Sequence, residues 1–161
     1  MYRRFLVLLV VLFPLVAIGA TPGKAKGKIT FNGKSKDLAY AYAWKDPEKP
    51  NLTVVVLSDT KLEDKILADR WAMIDLAKKD KVTAVLVKIA PNGDINSGTF
   101  YTAAEDGYFD AVGMHKWAKK TQSPTKIAGK LSTDHEGHFF KTSYSYSAEF
   151  EAPIGPAPKK K

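Results

Sequence analysis

No cysteine occurs among the 161 residues, so thiol nucleophiles, cysteine zinc sites and disulfide staples are excluded outright. Arginine is nearly as scarce. Arg3 and Arg4 stand at the start and Arg70 is the only one after them, so readout of phosphates or base edges through planar guanidinium forks is not expected. Past residue 20 no apolar run approaches the roughly 20 residues a membrane helix requires. P-loop, dinucleotide-fingerprint, calcium-loop and paired-carboxylate spacings are missing too, as is any internal repeat.

What is present begins with an export pattern. Tyr2-Arg3-Arg4 is a basic start, Phe5 to Ile18 is an apolar stretch broken only by Pro14, and Ile18-Gly19-Ala20 is a small-residue exit. Together they read as a cleavable signal peptide over residues 1–20. A membrane anchor fits less well, because the run is short, contains Pro14 and stops at Thr21-Pro22-Gly23. The expected mature chain starts near Thr21, is periplasmic or secreted, and inserts stably in no membrane. Removing residues 1–20 leaves 141 of 161, enough for one domain with its own core.

The formal charge is +8, yet between Ile29 and Ile154 the chain holds 17 basic and 17 acidic residues. Lys24, Lys26 and Lys28 precede that span and Lys159, Lys160 and Lys161 follow it. Composition therefore predicts a linker over residues 21–27, one globular domain over 28–154 and a disordered basic tail over 155–161. With basicity in the flanks, nucleic acid is not an expected partner.

Within the domain, alternation and turn signals predict strands at Lys28–Phe31, Leu38–Trp44, Leu52–Leu57, Val82–Ala90, Ile95–Thr102, Tyr108–Trp117, Thr125–Ser132 and Phe139–Phe150. The last two are expected to form a hairpin about Asp134-His135-Glu136-Gly137. Leu38, Tyr40, Tyr42 and Trp44 alternate with alanines, a pattern suited to a strand covered on both faces. Residues 60–79 predict one amphipathic helix, opened by the capping-box pair Thr60 and Glu63 and closed by Lys78 and Lys79. The fold class is α+β: a predominantly antiparallel curved sheet or partial barrel of about eight short strands with that helix against it.

The segments Gly27–Gly33, Leu38–Trp44, Val55–Asp59, Ile127–Lys130 and Phe150–Ile154 resemble a group of small exported bacterial proteins of unassigned function. They are strand and turn signatures, so the resemblance implies export and fold and brings no catalytic residue.

Candidate functional residues are few. Arg70 projects into the apolar arc of the expected helix and should be partly buried, held by a carboxylate from a facing strand or open to an anionic ligand. Asp59, with Ser58 and Thr60 at a strand end, is a cap or an anion-side residue at the helix start. His135 and His138 sit in a turn without metal-ligand spacing; His115 lies beside Trp117 and suits a half-buried histidine bonded to backbone. No catalytic residue, metal site or cofactor is expected. The function expected is an exported, non-catalytic binding or interaction domain whose partner is a protein or small ligand outside the cytoplasm. The alternative is a small secreted hydrolase or metal-assisted enzyme whose site assembles only on folding. A third class, an inhibitor of a secreted enzyme, has one candidate loop, Asp46–Asn51.

Overall fold

The computed structural model describes residues 20–159; the expected signal peptide, except for Ala20, and the last two lysines lie outside the described residues. Strands β1 (Gly23–Phe31), β2 (Lys34–Lys45) and β3 (Thr53–Ser58) lead to helices α1 (Asp64–Leu67) and α2 (Arg70–Lys78). Seven strands follow: β4 (Ala84–Ile89), β5 (Ile95–Thr102), β6 (Gly107–Val112), β7 (His115–Gln122), β8 (Lys126–Thr133), β9 (Gly137–Phe139) and β10 (Thr142–Gly155). They form a single sheet in the order β6-β5-β4-β3-β2-β1-β10-β8-β7, with β9 beside β10. Apart from a two-residue parallel contact between β10 and β2, every pairing is antiparallel. The fold class is the expected one, with ten strands for eight.

The sheet curls into a half-barrel, and its inner face is an aromatic core. Phe31 of β1 meets Phe100 of β5 edge-on with ring centroids 6.0 Å apart, although three strands separate β1 from β5 in the sheet. Phe100 also stacks on Phe109 and tilts against Tyr144 of β10. Such contacts between distant strands are what closes the curl, each worth about 0.5–1.5 kcal/mol beyond area burial. The tyrosines and Phe150 of β10 are core, as their period-2 spacing implies.

The outer face divides in two. Over β2 to β5 it is covered by α1 and α2, which bury Met73, Ile74 and Ala77 against Tyr42, Trp44, Val54 and Val56. β2 is thus covered on both faces, Tyr42 and Trp44 outward, Ala41 and Ala43 inward. Leu38 joins the inner cluster, opposite to its expected partners, where the β1–β2 register shifts between Lys24 and Gly27. Over β1, β10 and β8 the outer face is bare and reads Lys26, Glu149 and Lys130 across one row and Lys28, Ser147 and Ser132 across the next.

Several sequence expectations are corrected. The expected linker is largely strand: β1 starts at Gly23, and Lys24 to Gly27 pair with Glu151 to Ala148. At the other end, Gly155 still belongs to β10. Lys24, Lys26 and Lys28 are therefore part of the folded surface, and Gly23–Gly155 holds 20 basic against 17 acidic residues. The span 108–117 is two strands, parted at Gly113 with φ +72°. The last two expected strands do pair, β10 antiparallel to β8, but no tight turn at Asp134–Gly137 joins them: β9 intervenes and pairs with the start of β10.

The single helix is two short ones, and the capping box does not form. Glu63 precedes α1 without a side-chain cap. Asp69 caps α2 instead, its Oδ1 accepting from the N–H groups of Trp71 (3.0 Å) and Ala72 (3.5 Å). An aspartate offering that bond starts a new helix at Arg70 more cheaply than it continues an old one.

Candidate functional site

A groove of about 470 Å³ opens on the covered half of the outer face, between the sheet and the α1–α2 turn. Its position follows from the strand register. Trp44, Val54 and Lys88 form one row across β2, β3 and β4, and Val56, Leu86 and Thr99 belong to the next across β3, β4 and β5. Leu67 and Met73 close the helix side. Because β-branched and aromatic residues alternate with inward-facing ones, the groove floor is apolar and its charges collect at the ends of the rows.

One end is the Asp46 loop. Asp46 terminates β2 and its side chain is only 4% exposed, yet its Oδ2 lies 2.6 Å from Lys88 Nζ. Its Oδ1 accepts from the N–H groups of Glu48 (2.9 Å) and Lys49 (3.3 Å). Lys88 beside Asp46 holds its carboxyl below the usual carboxylate range, and the two N–H bonds help against the opposing effect of burial. The Asp46–Asn51 loop is further closed by Asp46 N–H to Leu52 O and Leu52 N–H to Lys49 O. Its Pro47 and Glu48 wall the groove.

The other end is Arg70. It is the first residue of α2, and its side chain is 52% exposed rather than partly buried in an apolar arc. That correction follows from the helix break: the arc that would have enclosed Arg70 assumed a continuous helix. The facing-strand carboxylate does exist. Arg70 Nη2 donates to Asp110 Oδ2 of β6 at 3.5 Å, and the guanidinium lies 4.6 Å from the centre of the Tyr108 ring. Asp110 Oδ1 accepts from Thr99 Oγ1 at 2.5 Å. Arg70 carries five N–H donors and, among the described residues, donates one hydrogen bond, to Asp110. Between the two ends, burial pushes the Tyr101 phenol up to about 12, with Arg70 pulling the other way.

Asp59 lies elsewhere. Its Oδ1 accepts from Thr83 N–H at 2.8 Å and its Oδ2 is 3.8 Å from Lys36 Nζ, so it staples the β3–α1 loop to the start of β4 and caps no helix. Ser58 donates to Thr60 O at 2.7 Å. The structure therefore does not bring the two candidate binding residues together.

His115 faces the inner core, its Nδ1 2.9 Å from the Tyr146 hydroxyl. Burial lowers its pKa below the ordinary histidine value, opposed by the Ala111 carbonyl. His135 and His138 are exposed and stand 3.9 Å and 3.8 Å from Asp134 and Glu136. Among the described residues no three histidine or carboxylate side chains converge as a metal site.

Sequence reasoning missed Asp46, Lys88, Thr99, Tyr101 and Asp110. They come from three strands and a loop, and only the prolines around Asp46 marked any of them. No family model, no curated protein and no solved structure matches the chain.

Proposed function

We propose an exported, non-catalytic binding domain that holds a small, largely apolar ligand bearing an anionic group in the groove beneath α1 and α2. The observation carrying this is the groove itself: an apolar floor with Lys88 at one end and the under-used fork of Arg70 at the other. A carboxylate or phosphate on the ligand would compete with Asp110 for Arg70, whose present contact is long and exposed. Export is supported by the Arg3-Arg4 start, the apolar run and the small residues Gly19 and Ala20 that end it.

The enzyme alternative asks for titratable groups poised near neutrality in one cleft. In this groove the shifts run the other way, Asp46 down and Tyr101 up, and both directions keep the groups in their ordinary state at pH 7. Calorimetric titration with octanoate tests the proposal. Arg70→Ala is expected to weaken binding at least several-fold and Lys28→Ala, on the bare face, to leave it unchanged. Equal binding by both variants contradicts a groove site.

A further inference from the structure

The amide nitrogen of Ala20 donates to Asp64 Oδ1 at 2.8 Å across 44 residues of chain. Ala20 is also partly buried, packed against the cluster beneath the helices. Ala20 is thus held by the fold through both its amide and its side chain. Among the described residues, this contact is the one hydrogen bond made by the Asp64 carboxylate. A peptide N–H gives that carboxylate one neutral donor. A chain beginning at Ala20 would offer it an ammonium instead, which turns the contact into a charge-assisted bond, shorter and roughly twice as strong.

The sequence around that nitrogen is compatible with a new chain start there. Signal peptidases favour small side chains at the residue before the cut and at the third residue before it. A cut after Gly19 places Gly19 and Ala17 at those two positions, whereas a cut after Ala20 places Ile18 at the outer one. We propose that Gly19–Ala20 is the processing site and that Asp64 is the acceptor for the α-ammonium it releases. In the cut, water adds across the Gly19–Ala20 amide: the C–N bond breaks, the water oxygen stays on Gly19, which leaves as a carboxylate, and the Ala20 nitrogen takes both of the water's protons and becomes the ammonium. Folding of the mature domain is then completed by a pair that the precursor cannot form. This deepens the export proposal and rests on it.

The test has two independent arms. First, the full chain from Met1 is expressed in a secreting bacterial host and the exported protein is sequenced from its amino end. Ala20 as the first residue is expected. Thr21 or a later residue overturns the inference while leaving export intact, and retention of Met1 overturns both. Second, protein beginning at Ala20 is compared with its Nα-acetylated form, each with Asp64 and with Asp64→Asn. Acetylation is expected to lower Tm by about 3 °C with Asp64 in place and by nothing with Asp64→Asn. An equal shift in both backgrounds overturns the ammonium–Asp64 pair whatever the site of cleavage.

Discussion

The two halves of the outer face are built from the same sheet and differ in what lies on them. Over β2 to β5 the outward positions are Tyr42, Trp44, Val54 and Val56, and α1–α2 cover them. Over β1, β10 and β8 they are lysine, serine and glutamate, and no described element covers them. The charge follows the same division: residues 46–112 hold 8 basic and 12 acidic groups, whereas 23–45 with 113–155 hold 12 and 5. Alternation along a strand fixes which residues face outward, and their polarity decides whether a second layer is needed. The covered half stores apolar area and frames a groove; the bare half keeps the sheet soluble and its edge-side strand β7, with Lys116, Lys119 and Lys120, unattractive for pairing.

The strongest way to break this comparison is to truncate one side chain in each half. Ile74→Ala, on the sheet-facing side of α2 and 3% exposed, is expected to cost about 2–5 kcal/mol in chemical denaturation. Ser147→Ala on the bare half should stay within about 0.5 kcal/mol. Comparable losses at the two sites would mean that the bare half is covered by something after all.

Gly27→Ala sharpens the comparison from the other side. A Cβ at Gly27 would run into Ser147 O and Ala148 Cα on β10, so about 1–3 kcal/mol should be lost. A linker residue would tolerate the change, and an unaltered unfolding midpoint would show that β1 is not paired here.

Asp46 gives the covered half a pH signature. Its folded pKa is depressed, so its contribution is fully present above the unfolded carboxylate value, near 3.9. It is lost as pH falls below that through the folded pKa. Asp46→Asn should remove that segment of the stability–pH curve. Parallel curves for parent and variant below pH 4 would contradict the Lys88 pair.

The lysine row is expected to matter for charge and little for stability. Replacing Lys24, Lys26 and Lys28 together by serine should change stability by less than about 1 kcal/mol and markedly reduce retention on a polyanion column. Undiminished retention would put the basicity outside β1.

Much of the fold was legible because strand alternation is a local signal: β10 can be read residue by residue from Thr142 to Phe150. The helix break was not, since the apolar arc runs through Ala68 and Asp69 without a glycine or proline, and only the competition between Asp69 as interior residue and as cap decides it. The β1 strand hid behind composition. Gly23, Lys24, Gly27 and Lys28 look like linker, yet the alternation of lysines with Ala25, Gly27 and Ile29 is the pattern of a half-exposed strand. Arg70 was found for a reason the structure removes, while its partner Asp110 was foreseen only as a kind. The groove itself had no sequence signature, because Trp44, Lys88, Thr99 and Tyr101 meet only through the register of four successive strands, which no single segment encodes.

The most direct test of the claim that the covered half holds the ligand is an amide chemical-shift titration with octanoate. Shifts are expected at Trp44, Lys88, Thr99, Tyr101 and Arg70, with β1 and β8 unmoved. Shifts confined to Lys24–Lys28 and Lys126–Lys130 would place binding on the lysine face and contradict the account.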